Sequence, residues 1–141
     1  MHRRRFLRRV GAAGGVAATT ALAGCSAVGG EPGYDVGMMA SAFQPAEVTV
    51  AVGDTVVWEN TSARGHTVTA YESAIPDEAE YFASGGYDGE EAAREAWSSD
   101  FGGRLESGDR YSRTFEVPGR YEYVCLPHET GGMVGTVVVE E

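Results

Sequence analysis

The sequence predicts an all-β protein, an antiparallel β-sandwich of about 100 residues that is interrupted by an acidic, partly helical excursion between strands. Two observations favour this fold class. Short runs of alternating apolar and polar residues recur along the chain, and glycine or proline turns separate them. The runs do not alternate with helices in a βαβ pattern, which would have favoured a parallel sheet. With 141 residues, of which 43% are hydrophobic, the chain can form one domain with a substantial core.

Six runs of the sequence have the strand-like pattern: residues 48–52, 55–59, 66–71, 111–117, 121–125 and 134–140. A Gly-Asp pair follows the first run and a Pro-Gly pair follows the fourth, as expected of tight turns. In the fifth run Tyr121, Tyr123 and Cys125 occupy alternate positions, so they share one face, which we expect to be the inner face. Further side chains that we expect in the core are Trp58, Phe115, Met38 and Met39.

The excursion between strands covers residues 72–109, which do not follow the strand pattern. It carries 11 acidic residues against two arginines. Within it, Asp88 and Glu91 resemble a capping box, which predicts the start of a short helix. The side of this helix that would face inward is formed by Ala92, Ala93, Ala96 and Trp97. We expect Trp97 to lay the helix against the sandwich.

The charges are distributed unevenly along the chain. All 11 basic residues are arginines, and with 21 acidic residues the net charge is −10. Five arginines lie in the first nine residues, so from residue 25 onward six arginines face 21 acids, a balance of −15. This excess disfavours a nucleic-acid binder, which needs a basic surface. It also disfavours charge-driven adhesion to an anionic membrane.

Residues 1–24 are predicted to be an export signal. The basic start and the following Phe6-Leu7 resemble a twin-arginine signal, and the 14 small or apolar residues 10–23 are too few to span a membrane. The stretch ends in Leu-Ala-Gly-Cys25, which resembles a lipobox, so Cys25 is the predicted lipidation site. Residues 25–34 would then form an anchor and flexible tether, and residues 35–141 the folded domain. The expected location is the extracytoplasmic face of the cell membrane.

Potential metal ligands are concentrated near the C-terminus. A thiol at Cys125, an imidazole at His128 and a thioether at Met133 lie within nine residues. If Cys25 carries lipid, Cys125 has no disulfide partner, and a bound metal would protect its exported thiol. Beyond the leader the only other histidine is His66. Two imidazoles, one thiolate and a weak axial thioether are the ligands of electron-transfer copper sites, so the sequence predicts one such site.

From Phe43 to the C-terminus the sequence resembles the plastocyanin-like blue copper proteins, most closely the halocyanin type of halophilic archaea. The matching pieces are FQP at residues 43–45, VTVAVGDTVVW at 48–58, Asn60, His66, and FEVPGRYEYVCLPHETGGMVGT at 115–136. They extend over about 70% of the chain. The resemblance implies a Greek-key, cupredoxin-like sandwich and a one-electron carrier with one type 1 copper. It assigns His66, Cys125 and His128 as equatorial ligands and Met133 as the axial ligand.

Two positions depart from the plastocyanin pattern. Thr67 stands where an asparagine commonly ties its strand to the cysteine loop, which leaves open how this chain makes that tie. Val124 stands where a tyrosine commonly precedes the cysteine, so an electron path through that tyrosine is not carried over.

We expect electrons to pass through His128, with docking on the small and apolar residues Leu126, Pro127, Gly132 and Val134. The expected partners are membrane respiratory or other redox proteins, and the carrier itself is expected to be a monomer. Molar salt, which the halocyanin resemblance implies, shortens the Debye length to about 3 Å, so the acidic surface would serve solubility more than long-range steering.

Other functions remain to be weighed against an electron carrier. A copper-binding chaperone or storage lipoprotein outside the cytoplasm is the main alternative, because ligands alone do not set the rate of copper exchange. A solute-binding lipoprotein with a degenerate site is disfavoured by the complete ligand set. An enzyme is not expected: a binuclear oxidase domain needs a second cysteine in the loop, and a catalytic copper centre needs further histidines.

Overall fold

A computed structural model of the chain describes residues 33–141. The predicted export signal, the lipidation site Cys25 and all but the last two residues of the predicted tether lie outside the described residues. Within residues 33–141, no helix is both long and apolar enough to cross a membrane.

Two four-stranded sheets form the body of the described chain. The strands are β1 (Val36–Met38), β2 (Phe43–Gln44), β3 (Glu47–Ala51), β4 (Thr55–Asn60), β5 (Thr69–Ala70), β6 (Arg110–Thr114), β7 (Gly119–Val124) and β8 (Val134–Glu140). One sheet has the order β2-β1-β4-β6 and the other β3-β8-β7-β5. One α-helix, α1 (Glu90–Asp100), and two 3-10 turns, Glu72–Ala74 and Leu126–Gly131, complete the described elements. The predicted β-sandwich with a partly helical excursion is confirmed.

Strand direction is more mixed than the sequence pattern indicates. β1 pairs with β4 in parallel, and β3 pairs with β8 in parallel, whereas the other strand pairs are antiparallel. Parallel neighbours need a crossover connection rather than a tight turn. This chain provides one, because it enters the second sheet as β3 before it returns to the first sheet as β4.

The run predicted at residues 66–71 is a strand only at Thr69–Ala70. Its first residue, His66, instead exchanges two main-chain hydrogen bonds with Leu105, at N···O distances of 3.1 and 2.7 Å. The start of this run is therefore hydrogen-bonded to the excursion, at Leu105, and its end pairs with the neighbouring strand β7. The run predicted at 111–117 likewise ends early, at Thr114, while β8 has the predicted bounds.

The core lies between the sheets and is rich in aromatic rings. Tyr121, Tyr123 and Cys125 are all buried, which confirms the predicted inner face of β7. Tyr123 packs edge-on against Phe43 and Trp58, with ring centroids 4.7 and 5.3 Å away. The antiparallel pairing of β7 with β8 places Tyr123 opposite Gly135, and a Cβ atom on that glycine would overlap the tyrosine ring. The absence of a side chain at Gly135 therefore leaves the space that the Tyr123 ring occupies beside β8.

Three of the four further core predictions are confirmed, because Trp58, Phe115 and Met38 are buried. The prediction for Met39 is wrong, since 46% of its surface is exposed. Met38 is the last residue of β1, whereas Met39 lies in the exposed turn toward β2, where its N–H donates to the Ala42 carbonyl at 2.8 Å.

Helix α1 forms inside the excursion, as predicted, but it begins differently. Gly89 is the N-cap residue, and no side chain caps it in the manner of a capping box from Asp88. Instead, the Glu72 carboxylate accepts a hydrogen bond from the Glu90 N–H (3.0 Å), and the Glu90 carboxylate accepts one from the Glu72 N–H (2.9 Å). A carboxylate 18 residues away thus occupies the positive end of the helix dipole.

The inner side of α1 is centred on Ala93, which is its buried residue, while Ala92 is exposed. Trp97 was expected to lay the helix against the sandwich, but its ring packs on Phe101 at 5.1 Å and stays partly exposed. The small side chain of Ala93 lets α1 pack closely against the rest of the protein. Ala93 and the polar contacts described below therefore hold the helix in place.

Candidate metal centre

The predicted ligands meet at one end of the sandwich. Cys125 directly follows β7, and Met133 directly precedes β8. The metal loop, residues 125–133, joins these two strands and carries His128 in its 3-10 turn. His66 arrives from the connection between β4 and β5. The long separation between His66 and Cys125 in the sequence is thus closed by the sandwich itself.

One donor atom each of His66, Cys125 and His128 lies within 4.8 Å of the others. The Cys125 Sγ is 3.4 Å from Nδ1 of His66 and 3.4 Å from Nδ1 of His128. Nitrogen and sulfur ligands about 2.0–2.3 Å from one metal ion would be about 3.5 Å apart. The spacing of the three donors therefore fits a shared metal ion.

Met133 lies beside this cluster. Its carbonyl accepts a hydrogen bond from the Cys125 N–H at 3.0 Å, and its own N–H donates to the His128 carbonyl at 3.2 Å. The side chain is buried in the same core cluster as Cys125. The main chain thus brings the fourth predicted ligand next to the other three.

Burial controls the protonation of the three donors. It raises the pKa of the Cys125 thiol to about 11, although the main-chain N–H groups of Thr67 and His128 oppose the shift. Burial also lowers the pKa of His66 to about 4, with further lowering by His128 and Arg64. The pKa of His128 is lowered by burial and by Arg64. Both imidazoles are therefore neutral at neutral pH with a lone pair to share, and a metal cation would stabilise the thiolate.

A side-chain network assigns the tautomer of His66. Ser62 Oγ lies 3.0 Å from His66 Nε2 and 2.8 Å from the Asn60 Oδ1, which accepts the single hydroxyl proton. The hydroxyl oxygen must then accept a proton from Nε2–H, and this leaves the lone pair of Nδ1 directed toward Cys125. The Asn60 amide is itself held, because its Nδ2 donates to the carbonyls of Arg64 (2.6 Å) and Leu105 (2.9 Å).

Sequence reasoning matched Asn60 to the family pattern but missed Ser62. The available signal was its position four residues before His66, which becomes meaningful only when the turn between them is known.

Thr67 supplies the tie that the sequence left open. Its Oγ1 accepts a hydrogen bond from the Leu126 N–H at 2.9 Å and contacts the Thr69 hydroxyl at 3.0 Å. A hydroxyl therefore joins this connection to the start of the metal loop, in the place where the sequence pattern commonly has an asparagine.

A second network holds the far side of the metal loop. Glu129, directly after His128, accepts two hydrogen bonds from the Arg94 guanidinium, at 2.8 and 3.0 Å, and a third from the Tyr71 hydroxyl at 3.0 Å. Arg94 lowers the pKa of the Glu129 carboxyl, and burial together with Glu129 raises that of Tyr71 to about 12. Sequence reasoning missed this network. The only hint was that Arg94 is one of two arginines in an acidic segment.

The ligands differ in their access to solvent. His66 and Cys125 are fully buried, whereas His128 is half-buried and reaches the surface. The predicted docking residues belong to the same loop or directly follow it: Leu126 and Pro127 are half-buried, Gly132 is exposed, and Val134 is 44% exposed. Among the three donors, solvent therefore reaches the centre at the imidazole of His128.

Comparisons with known proteins agree with this geometry. The chain matches the family described as copper binding proteins, plastocyanin/azurin family, over residues 31–140. It is 33% identical over 136 residues to the chloroplastic plastocyanin of Tetradesmus obliquus, an alignment that covers 95% of this chain and 83% of that plastocyanin.

Solved structures share the fold. Amicyanin from Paracoccus versutus superposes with a TM-score of 0.52 at 28% identity, covering 74% of this chain and 78% of amicyanin. A purple cupredoxin from Nitrosopumilus maritimus superposes with a TM-score of 0.50 at 24% identity, covering 75% of this chain and all of that one. Soft nitrogen and sulfur donors at the observed spacing suit copper. The chain therefore belongs to the plastocyanin/azurin family of copper-binding proteins, with a cupredoxin fold and copper as its cofactor.

Proposed function

We propose that this cupredoxin is a one-electron carrier whose single type 1 copper is held by His66, Cys125, His128 and Met133. The observation that carries the proposal is the buried cluster of two imidazole nitrogens and one thiol sulfur within 4.8 Å. When bound, copper supplies the one-electron step between Cu(I) and Cu(II).

The surrounding residues hold the donors in place before any metal binds. The Ser62 hydroxyl orients His66, and the Thr67 hydroxyl anchors the start of the metal loop. Main-chain N–H groups of Thr67 and His128 stabilise negative charge on the Cys125 sulfur. Donors held by such contacts change position little when charge at the site changes, which favours fast electron transfer over metal exchange.

We assign His128 as the point where electrons enter and leave by outer-sphere transfer. It is the one nitrogen ligand of the cluster that reaches solvent. Leu126, Pro127, Gly132 and Val134 lie in the metal loop or directly after it, are half-buried or exposed, and carry no charge, which supports docking of a partner on this side of the loop with exclusion of water. Small interfaces of this kind suit brief encounters between redox proteins.

The cellular setting is also part of the proposal. The leader-like residues 1–24 and the lipobox-like Cys25 support an exported, lipid-anchored carrier of the halocyanin type on the extracytoplasmic membrane face. The acid excess and the absence of lysine support a halophilic source. The proposed partners are membrane respiratory or other redox proteins, met by a monomeric carrier.

Absorption spectroscopy of the Cu(II)-loaded protein tests the function. We expect an intense band on the order of 600 nm from the Cu–thiolate bond. Cys125→Ser should abolish it, while Cys25→Ser, which changes the only other cysteine, should leave it intact. A colourless parent, or a blue Cys125→Ser variant, would refute the proposal. A parent that binds only Cu(I) and exchanges it rapidly would favour the chaperone or storage alternative.

A further inference from the structure

Glu129 connects the metal loop to helix α1. Both oxygens of its carboxylate are used, since Oε1 accepts from Arg94 Nη1 at 2.8 Å and Oε2 accepts from Arg94 Nη2 at 3.0 Å. The Tyr71 hydroxyl also donates to Oε2, at 3.0 Å. A two-pronged guanidinium–carboxylate contact fixes orientation as well as distance. The position of the residue after His128 is therefore set by the helix.

Arg94 is itself held in place from the other side. Its Nε donates to Glu90 Oε2 at 2.8 Å, and Glu90 exchanges hydrogen bonds with Glu72. The neighbouring Tyr71 is fixed to the sandwich, because its N–H donates to the Glu122 carbonyl of β7 at 3.0 Å. The guanidinium thus bridges the metal loop to groups that are anchored on the sheet.

The other hydrogen bonds of the loop lie at its two ends and inside it. Inside it, the His128 N–H donates to the Cys125 carbonyl at 3.1 Å, and the Met133 N–H donates to the His128 carbonyl at 3.2 Å. At its start the Leu126 N–H donates to Thr67, and at its end the main chains of Cys125 and Met133 are hydrogen-bonded. Within the described residues, Glu129 is the one residue of the turn Leu126–Gly131 whose side chain hydrogen-bonds outside the metal loop, since the contact of His128 is with Cys125. The 3-10 geometry is also interrupted at His128 itself, with φ −121° and ψ 21°.

We propose that Arg94 is a positioning residue for the copper ligand His128, acting through Glu129. The inference rests on the proposed copper ligation by His128 and assigns a role to the acidic excursion, which reaches the metal centre through α1. Without the contact between Arg94 and Glu129, the turn that carries the half-buried imidazole would be held by the ends of the loop, by main-chain hydrogen bonds within the loop and by the bond of His128 to the metal. Its angle to Cys125 would then vary more, and the metal would leave more easily.

Three variants of the full chain test the inference after loading with Cu(II). Arg94→Gln removes both the charge and the bidentate contact with Glu129. Arg94→Lys keeps the charge but cannot form the bidentate contact. Arg120→Gln is the matched control, because Arg120 also pairs with two carboxylates but is exposed at the start of β7, away from the metal loop. The readouts are the Cu–thiolate absorption, the electron paramagnetic resonance spectrum and the rate of copper release to excess chelator.

Arg94→Gln should release copper about tenfold faster and shift both spectra, as expected when a supporting contact of a ligand is lost. Arg94→Lys should show a smaller shift in the same direction, and Arg120→Gln should match the parent. If Arg94→Gln lowers thermal stability but matches Arg120→Gln in spectra and release, Arg94 is merely structural and the inference is wrong. An Arg94→Lys variant identical to the parent would also overturn it, because charge alone would then suffice.

A measurement on the metal-free protein separates this inference from the proposed function. Backbone ¹⁵N relaxation should give order parameters of about 0.85, typical of a rigid backbone, for residues 128–131 in the parent and in Arg120→Gln. The same residues should have lower order parameters in Arg94→Gln. A colourless parent would refute copper ligation. Unchanged order parameters in Arg94→Gln would refute the role of Arg94 in positioning His128.

Discussion

The Ser62 hydroxyl lies 3.0 Å from Nε2 of His66, and this contact determines that the other ring nitrogen, Nδ1, faces Cys125. Without it, His66 could place its proton on either nitrogen, and one of the two forms presents N–H instead of a lone pair to the metal. The contact also makes Ser62 a support of the metal centre that does not itself touch the metal position.

Ser62→Ala should weaken copper binding about tenfold while leaving the protein blue. The hydroxyl that accepts from Nε2–H is lost, but the Met39 main chain remains as a hydrogen-bond partner of the ring and all four predicted ligands remain, so the effect is that of one lost supporting contact. Competition with a chelator of known affinity measures it. Ser112→Ala on the exposed part of β6 is the control and should bind as the parent does. Equal affinities for Ser62→Ala and the parent would show that Ser62 does not select the tautomer.

Thr67→Val should destabilise the metal-free protein by about 1–3 kcal/mol. The substitution keeps the shape of a buried side chain but leaves the Leu126 N–H and the Thr69 hydroxyl without their partner. Urea unfolding measures the difference. Thr67→Asn, which restores an acceptor for the loop, should recover part of the loss.

The control for Thr67 is Thr114→Val. The Thr114 hydroxyl bonds Thr55 at 2.6 Å in an exposed position, where water can replace it. Its effect should stay within about 0.5 kcal/mol. Equal effects of the two valine variants would contradict a special role for the Thr67 tie.

Gly135→Ala should destabilise the fold by about 1–3 kcal/mol, because the added Cβ overlaps the Tyr123 ring and the aromatic core has little room to shift. Gly131→Ala is the matched control, since a Cβ there meets no atom within 4 Å. Thermal unfolding of the two variants should therefore differ. A Gly135→Ala variant as stable as Gly131→Ala would show that Tyr123 can move aside.

Val134→Glu should slow electron self-exchange between copies of the copper-loaded protein by about tenfold, because like charges would meet at the proposed docking surface. The absorption spectrum should not change, since Val134 is exposed and lies outside the ligand set. Nuclear magnetic resonance line broadening in mixtures of the two redox forms measures the rate without a known partner.

The self-exchange experiment needs a control for net charge. Ser112→Glu adds the same charge on β6 and should leave the rate near that of the parent. Salt above about 1 M, where the Debye length is about 3 Å, limits the effect to charges in contact. If both variants slow the reaction equally, the docking surface is not at Val134.

Much of the candidate metal centre could be predicted from the sequence, because most of its residues lie close together in the chain. Cys125, His128 and Met133 lie within nine residues, and the alternation of Tyr121, Tyr123 and Cys125 predicted their shared inner face correctly. Strand β8 has the predicted bounds because five of its seven residues, Val134 and residues 136–139, are β-branched. Side-chain direction along a strand follows from the backbone repeat alone, so it can be read without knowledge of the neighbours.

The predictions that failed concern which groups meet. The helix cap was expected from Asp88, one residue before the actual N-cap, but it comes from Glu72. Met39 was expected in the core, but it lies in the exposed turn that follows β1. Trp97 had the right size to anchor a helix, yet the buried position on α1 belongs to Ala93.

The sequence by itself determined the ligand types, the β-sandwich class and the inner face of β7, since composition, spacing and backbone repeat specify these locally. The histidine count and the family resemblance also predicted that His66 joins Cys125 across 59 residues, and the distance of 3.4 Å between Nδ1 and Sγ agrees with this. Only the tertiary structure decided that Ser62 orients His66 and that Arg94 meets Glu129 across 35 residues. Such contacts depend on how the two sheets and the excursion pack together, and packing is a property of the whole chain.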